Sequence, residues 1–312
     1  MTRRTVSMYM SHDDTADSAD PLSLGGVVPP TVTAFTEDES VDFETTASHA
    51  RFVVDRGVDA VFSLGTNGEF ALLTDEERAG VVESVVEEVG GEVPVIAGVG
   101  APSTYRTAEN ARRATEAGAD GVVAVTPYYY PLDEAGARSH YRRVTEAVDV
   151  PVYIYHIPGR TGNALSLDTL AELAAIERIA GVKDSSKDVP WLGQAIAANP
   201  ELSFLAGSDS LQFVGRALGC TGGVSAVANA FPELVTELHD AFDAGDHERA
   251  REIQERLYAV RRAFKSGSYM AGVKSALSLR GFDAGGLRAP LRRMSDEQEG
   301  ELEARLCELD VL

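Results

Sequence analysis

One lysine of this sequence stands where a lysine amine could do covalent chemistry. The chain has only four lysines, so 24 of its 28 basic residues are arginines, and yet Lys183 directly follows the apolar run 179–182. A lysine amine can lose its proton, attack a carbonyl and form an imine, whereas an arginine guanidinium stays protonated. Burial at a strand end lowers the pKa of such an amine and favours this reaction. The alternative is a strand-end lysine whose amine reaches solvent.

Imine chemistry needs a second group that moves protons, and the apolar run before Lys183 offers one. The run 150–156 carries Tyr153 and Tyr155, which share one face of a strand because side chains alternate along it. Either phenol could reach a site or pack in the core, and alternation does not choose between them. In the turn "GTNGE" (65–69), Thr66 and Asn67 could orient a carboxylate or relay a proton, although glycine-rich turns are common.

Arg160 offers a positive charge for an anionic substrate. It follows a tight Pro-Gly loop, and its guanidinium could hold a carboxylate through two hydrogen bonds or form a surface salt bridge. His156 has no second candidate at metal-ligand spacing, and Cys220 and Cys307 do not form such a spacing either. The sequence therefore predicts a site that uses no metal and no cofactor.

Alternating strands and helices must position these residues. Eight apolar, strand-like runs alternate with amphipathic stretches, and their Val/Ile-rich content is typical of parallel strands covered on both faces. Eight such units predict an α/β fold, a (β/α)8 TIM barrel, and the absence of a G-x-G-x-x-G motif disfavours an open nucleotide-binding sheet. The strand-like runs are 25–35, 58–64, 93–99, 120–127, 150–156, 178–183, 202–208 and 221–227.

The barrel predicts that the candidate residues meet. In (β/α)8 barrels the chemistry lies at the carboxyl ends of the strands. The turn 65–69 follows the second strand, "TPYYYP" (126–131) the fourth, "KDSS" (183–186) the sixth and "GSDS" (207–210) the seventh. Lys183, Tyr155 and Thr66 are therefore expected at one face of the barrel.

The chain is predicted to have three segments. Residues 1–23 are acidic and serine-rich and are expected to be a disordered tail. Residues 24–240 form the barrel. Residues 241–312 form a C-terminal helical extension, with helical patterns at 246–264, 268–280 and 294–310.

Composition excludes several classes of partner. A net charge of −21 and a pI near 4.6 disfavour nucleic acid and anionic membrane surfaces, and no apolar run approaches the ~20 residues of a membrane span. With so little lysine, the acidic excess is typical of a protein adapted to high salt, the alternative being an ordinary acidic protein. No apolar run follows the N-terminal arginine pair, so we expect a cytoplasmic location.

Several ordered motifs resemble the dihydrodipicolinate synthase / N-acetylneuraminate lyase family of Schiff-base barrels. The likeness extends from about Gly25 to the C-terminus. The motifs are "GTNGEFALLTDEER" (65–78), "AGVGAPST" (97–104), "ADGVVAVTPYYYP" (119–131), "YIYHIPGRTG" (153–162), "GVKDSS" (181–186) and "GVKSALSLRGFDAGGLRAPL" (272–291).

The resemblance implies a role for each candidate. Lys183 would form the imine with pyruvate or another 2-oxo acid, and Tyr155 would move protons. Thr66 and Tyr129 match the hydroxyls of a proton relay, the tyrosine often coming from the adjacent subunit of a homotetramer, although the tyrosines at 128–130 could instead only pack at a subunit contact. The predicted substrate contacts are Thr66, Asn67, Arg160, Ser185, Gly207 and Val224.

Two positions depart from the synthases that make the lysine precursor. Asn67 replaces their second threonine, and His156 replaces the asparagine after the tyrosine. "GTNGEF" with "VKDSS" is more similar to the 4-hydroxy-2-oxoglutarate and 2-keto-3-deoxy-sugar-acid aldolases. Arg160 matches instead the arginine that binds the aldehyde's carboxylate in the synthases, and we expect Glu69 and Arg160 to help select the substrate.

The predicted function is therefore a class I aldolase that reversibly cleaves a 4-hydroxy-2-oxo acid to pyruvate and an aldehyde. The alternatives are 4-hydroxy-tetrahydrodipicolinate synthase, which condenses pyruvate with aspartate semialdehyde, and a dehydratase acting on keto-deoxy sugar acids. A barrel that binds keto acids without turnover is a further alternative. The intact set of Lys183, Tyr155 and Thr66 disfavours it, because binding alone needs no imine chemistry.

Overall fold

The computed structural model describes residues 22–312, so most of the predicted tail 1–23 lies outside the described residues. Eight parallel strands form one sheet in the order β1-β8-β7-β6-β5-β4-β3-β2. The bridge between Pro30 and Phe62 joins its two ends and makes the barrel nearly closed. The prediction of a (β/α)8 barrel is confirmed. The strands are β1 (Gly26–Val28), β2 (Val61–Ser63), β3 (Val95–Gly98), β4 (Gly121–Val125), β5 (Val152–His156), β6 (Ile179–Asp184), β7 (Ser203–Ala206) and β8 (Gly222–Val224).

The strands are shorter than the apolar runs that predicted them. In the first run, Pro29 and Pro30 follow β1, and proline has no N–H group to donate to a parallel ladder. The remaining apolar residues of such runs line the loops that leave the barrel, where Val32 and Ala34 are buried. Burial of a run therefore continues beyond its hydrogen-bonded ladder.

Helices surround the barrel, and their first turns follow sequence signals. The Thr74 hydroxyl accepts a hydrogen bond from Glu77 N at 3.2 Å, and Thr74 N donates to Glu77 Oε2 at 2.8 Å, which forms the capping box that begins α2. The helices are α1 (Phe43–Val54), α2 (Asp75–Val89), α3 (Thr104–Glu116), α4 (Glu134–Thr145), α5 (Pro158–Thr161), α6 (Leu167–Ala174), α7 (Val189–Ala198), α8 (Gln212–Leu218), α9 (Pro232–Asp243), α10 (His247–Ala263), α11 (Tyr269–Leu279) and α12 (Asp296–Glu308).

The last three helices pack against the barrel and share its core. One cluster of buried apolar side chains joins Val27 of β1 and Val235 of α9 to Leu257 of α10 and Leu302 of α12. The loop between α11 and α12 returns over the carboxyl ends of the strands, where Arg288 N donates to Glu69 Oε2 at 3.0 Å. The extension therefore contacts the face of the barrel that carries the candidate residues. Across residues 22–312, no helix has the length and apolar character that crossing a membrane requires.

Candidate active site

The structure brings most of the predicted site residues to one cavity. This cavity has a volume of about 350 Å³ and opens at the carboxyl ends of the strands. Its size suits a small ligand. Of the predicted residues, Tyr129 and Glu69 do not line it. The predicted residues that do are Lys183, Tyr155, Thr66, Asn67, Arg160, Ser185, Gly207 and Val224.

Lys183 lies inside the barrel next to Tyr155. The two residues are register partners on β6 and β5, and Nζ of Lys183 lies 3.7 Å from the centroid of the Tyr155 ring and 4.6 Å from that of Phe62. Only 4% of Lys183 is exposed. Burial lowers the pKa of its amine, and the nearby Tyr155 opposes this shift only in part. The unprotonated, nucleophilic form of the amine is therefore favoured compared with a lysine in water.

The pKa of the Tyr155 phenol is lowered, whereas burial alone raises the pKa of a tyrosine. Burial by itself raises its pKa. The positive charge of Lys183 and hydrogen bonding with Thr66 lower the pKa by more than burial raises it, so the pKa falls below the ordinary value. Lys183 thus loses its proton more readily because it is buried, and Tyr155 loses its proton more readily while Lys183 is protonated. This coupling suits a pair that exchanges protons during a reaction.

Tyr153 and Tyr155 lie on the same face of β5, but their phenols point to opposite ends of the barrel. The phenol of Tyr153 points to the opposite end of the barrel, where it accepts a hydrogen bond from Leu24 N at 3.0 Å and donates to Leu22 O. Its ring occupies the space beside Gly181, where a Cβ atom would lie 2.7 Å from the ring. Tyr153 therefore packs the interior of the barrel, and only Tyr155 reaches the cavity.

The turn that carries Thr66 and Asn67 has an unusual backbone. Leu64 and Glu69 both have positive φ angles, 58° and 54°, and Gly98 of the next strand lacks a Cβ that would lie 2.1 Å from Leu64 O. This path buries Asn67, whose Nδ2 has no hydrogen-bond partner within the described part of the chain. A buried amide donor that faces a cavity is suited to bind a ligand oxygen, such as that of a carboxylate.

Glu69 follows this turn but does not line the main cavity. Its side chain is fully buried, with Oε1 2.9 Å from Nζ of Lys274 and Oε2 accepting from Arg288 N. Lys274 also donates to Gly286 O at 2.5 Å. The carboxylate thus ties the turn of Thr66 to the C-terminal extension, because a buried charge needs its partner. Glu69 also lines a second, smaller cavity, and its help in selecting the substrate stays a prediction.

Ser185 and Gly207 fit closely together at the ends of β6 and β7. The Ser185 hydroxyl donates to Gly207 O at 2.9 Å, and a Cβ atom on Gly207 would lie 2.1 Å from the Ser185 Oγ. Nearby, Nδ1 of His156 lies 2.9 Å from Oδ1 of Asp184, and Nε2 of His156 accepts from Leu165 N at 3.2 Å. His156 therefore braces the ends of β5 and β6 from behind the cavity.

Arg160 lies at the mouth of the cavity on the single turn α5. Its side chain is exposed, and it lines both the main cavity and a smaller one of about 260 Å³ that also shares Thr66 and Tyr155. Among residues 22–312, no carboxylate lies within salt-bridge distance of its guanidinium. Arg160 is therefore free to bind an anionic group that enters either cavity.

Tyr129 points away from the cavity of its own chain. It is 84% exposed, its φ angle is 81°, and its ring contacts that of Tyr130 at 5.0 Å between centroids. Tyr128, in contrast, lines the smaller cavity and packs edge-on against Phe70. The role of Tyr129 in a proton relay of another subunit stays a prediction.

Four further side chains that line the cavity are charged or phenolic and were not among the predicted site residues. Lys187 and Asp209 follow strand ends, so the same rule that found Lys183 could have found them. Arg261 and Tyr269 come from the C-terminal extension, and no local sequence signal places them here. Asp209 joins the two groups, because the Tyr269 hydroxyl donates to its Oδ2 at 2.5 Å.

Comparison with known sequences gives one family. Residues 23–309 match the Dihydrodipicolinate synthetase family. An uncharacterized DapA-like lyase of Halobacterium salinarum is 65% identical over 302 residues, which cover 97% of this chain and 99% of that protein. The 4-hydroxy-tetrahydrodipicolinate synthase of Natronomonas pharaonis is 37% identical over 287 residues, which cover 91% of this chain and 97% of that enzyme.

Solved structures agree with the sequence matches. YagE, a prophage protein of the dihydrodipicolinic acid synthase family from E. coli K12 solved in complex with pyruvate, has a TM-score of 0.89 and 29% identity, covering 92% of this chain and 99% of that chain. Dihydrodipicolinate synthase from Thermotoga maritima has a TM-score of 0.89 and 31% identity, covering 93% and 100%. The chain therefore belongs to the dihydrodipicolinate synthetase family, whose members are carbon–carbon lyases that form a Schiff base on a lysine.

Proposed function

We propose that this protein is a class I aldolase that reversibly cleaves a 4-hydroxy-2-oxo acid to pyruvate and an aldehyde. The observation that carries the proposal is the buried contact between the Lys183 amine and the Tyr155 ring, at 3.7 Å, inside a cavity open to solvent. A related protein, YagE, was solved with pyruvate. The free Nδ2 of Asn67 supports the same view, since it offers a donor to the carboxylate of a 2-oxo acid.

Each proposed step uses a group of this cavity. The Lys183 amine attacks C2 of the 2-oxo acid, and loss of water gives a protonated imine. Tyr155 removes the proton of the C4 hydroxyl while the C3–C4 bond breaks, and the electron pair of that bond moves into the imine to form an enamine as the aldehyde leaves. Protonation of C3 and hydrolysis of the imine then release pyruvate and restore the lysine.

The second candidate is 4-hydroxy-tetrahydrodipicolinate synthase, which uses the same enamine to form a bond. Relatives with this activity in their names are 35–37% identical to the chain, and the free Arg160 guanidinium offers a site for the carboxylate of aspartate semialdehyde. Asn67 and His156 favour the aldolase, because they stand where the synthases carry a threonine and an asparagine.

A substrate panel tests the proposal. We expect pyruvate to be released from 4-hydroxy-2-oxoglutarate or from 2-keto-3-deoxygluconate, measured with a coupled pyruvate assay, and the Lys183→Ala variant serves as the inactive control. Pyruvate consumption only in the presence of aspartate semialdehyde would show a synthase instead. Loss of a keto sugar acid without release of pyruvate would show a dehydratase.

Three further features belong to the proposal. The exposed Tyr129 and Tyr130 rings support a subunit contact, and we propose a homotetramer in which Tyr129 reaches a neighbouring site. Relatives from the halophiles Halobacterium salinarum and Natronomonas pharaonis support a protein adapted to high salt. The expected location is the cytoplasm, where the free thiols of Cys220 and Cys307 stay reduced.

The salt proposal predicts that stability and assembly rise together with KCl. Forty-nine carboxylates face 28 basic side chains, so a net 21 negative charges repel one another in the folded chain. Raising KCl from 0.1 M to 1 M shortens the range of this repulsion from ~10 Å to ~3 Å. The competing effect is the weakening of surface ion pairs such as that of Arg51 with Glu92 at 3.0 Å, which add little to stability because solvent screens them. A melting temperature that is flat or falls across the series, measured with light scattering in parallel, would refute the adaptation.

A further inference from the structure

One wall of the main cavity, formed by Lys187 and Arg261, is positively charged, although the protein as a whole is strongly acidic. Lys187 follows β6 four residues after Lys183, and Arg261 projects from α10, and both line the main cavity but not the smaller one. The protein carries a net charge of −21 and only four lysines. Two positive side chains at one wall of a cavity therefore contrast with the net negative charge of the whole chain.

Two of the four lysines have other partners, and the other two lie near this wall. Lys183 lies beside Tyr155 in the reaction cavity, and Lys274 is paired with Glu69. The remaining two, Lys187 and Lys265, lie close enough to affect each other. Partial burial, then the positive charges of Arg261 and Lys265, lower the pKa of the Lys187 amine, and the negative charge of Asp209 opposes this shift only in part. Positive charges that repel one another in this way are relieved by an anion bound between them.

The one carboxylate of this wall is occupied by other groups. Oδ1 of Asp209 accepts from the Ser225 hydroxyl at 2.6 Å and from Val227 N at 3.0 Å, and Oδ2 accepts from the Tyr269 hydroxyl. Nε of Arg261 lies 3.9 Å from Oδ2, at the outer limit of an ion pair. Asp209 is 3% exposed. Asp209 is therefore only a distant ion-pair partner of Arg261, and it has little capacity left to accept hydroxyl groups of a sugar chain.

We propose that Lys187 and Arg261 form a subsite for a second anionic group, a carboxylate or a phosphate, at the aldehyde end of the substrate. The first anion, the carboxylate of the 2-oxo acid, lies at the turn of Asn67, and the imine carbon lies at Lys183. The substrate is then a dianion whose far end contacts Lys187 and Arg261. This inference rests on the proposed aldolase function and narrows its substrate class.

The test compares aldehydes that differ in their far end. Condensation with pyruvate is measured at 1 M KCl for D-glyceraldehyde, D-glyceraldehyde 3-phosphate and succinic semialdehyde, which carry no charge, a phosphate and a carboxylate. At this salt concentration the range of electrostatic attraction is only ~3 Å, so contacts and not long-range steering are measured. We expect at least one charged aldehyde to have a kcat/KM roughly tenfold or more above that of glyceraldehyde, and the better of the two identifies the anion.

Variants assign the effect to the two cations. Lys187→Gln and Arg261→Gln are each expected to lower kcat/KM for the charged aldehyde by roughly tenfold to a hundredfold, as for loss of a charge-assisted hydrogen bond, and for glyceraldehyde by less than about twofold. Arg261→Lys keeps the charge and should recover part of the loss. Arg262→Gln is the matched control, because Arg262 is the next residue of α10 and is exposed outside the cavity.

Failure of the anion subsite and failure of the aldolase function give different results. Equal or better use of glyceraldehyde by the wild-type enzyme overturns the subsite while leaving the aldolase intact. Equal losses on all three aldehydes, or the same loss in Arg262→Gln, also overturn it. Failure of every aldehyde together with failure of pyruvate to label Lys183 overturns the aldolase itself.

Discussion

Lys183→Ala is expected to abolish both turnover and the covalent labelling of the protein by pyruvate and borohydride. Borohydride reduces an imine to a stable secondary amine, so the label marks the residue that attacked the carbonyl. Lys183 is 4% exposed, and its burial lowers the pKa of its amine, which provides the unprotonated nucleophile. Intact-mass and peptide mass spectrometry measure the label and its position.

The pH dependence of labelling follows from the direction of this pKa shift. The rate of imine formation rises with pH as the amine loses its proton, and a lowered pKa brings the plateau to a pH below the ordinary lysine value of about 10.4. Lys265→Ala is the control, since this exposed lysine lies outside the cavity and its loss should leave labelling unchanged. Labelling that persists in Lys183→Ala would place the nucleophile elsewhere and refute the mechanism.

Tyr155→Phe is expected to retain pyruvate labelling but to lose about 10²–10⁴-fold in kcat, which is the usual contribution of a general acid–base group. The phenol lies against Lys183, and the charge of that lysine is the main effect that offsets the rise in pKa caused by burial. Phenylalanine preserves the ring and the packing but carries no proton. Labelling, steady-state kinetics and a melting curve separate binding, turnover and stability.

Tyr153→Phe is the matched control for this experiment. Tyr153 lies on the same strand and faces the same interior, but its phenol accepts a hydrogen bond from Leu24 N at the far end of the barrel. Removing it leaves that N–H without its partner, so we expect a loss of about 1–3 kcal/mol in the free energy of unfolding and activity within a few-fold of wild type. Equal activities of the two variants would show that Tyr155 only packs.

The sequence by itself determined the barrel and its reactive centre. Apolar runs alternate with amphipathic stretches, and that pattern depends only on neighbouring residues, so the eight strands could be predicted before any contact was known. The rule that strand ends converge then placed Lys183, Tyr155, Thr66 and Asn67 at one face, since the carboxyl ends of all parallel strands meet there. Because the chain has only four lysines, the sequence alone identified Lys183 as the candidate nucleophile.

The tertiary structure alone decided which polar groups face the substrate and which hold the site together. Alternation could not separate Tyr153 from Tyr155, because both face the interior and only depth along the barrel distinguishes them. The sequence could not show that the carboxylate of Glu69 is paired with Lys274, which lies far along the chain on α11. Arg261 reaches the cavity in the same way. Such contacts depend on how the C-terminal extension returns over the barrel, and no local pattern of residues encodes that path.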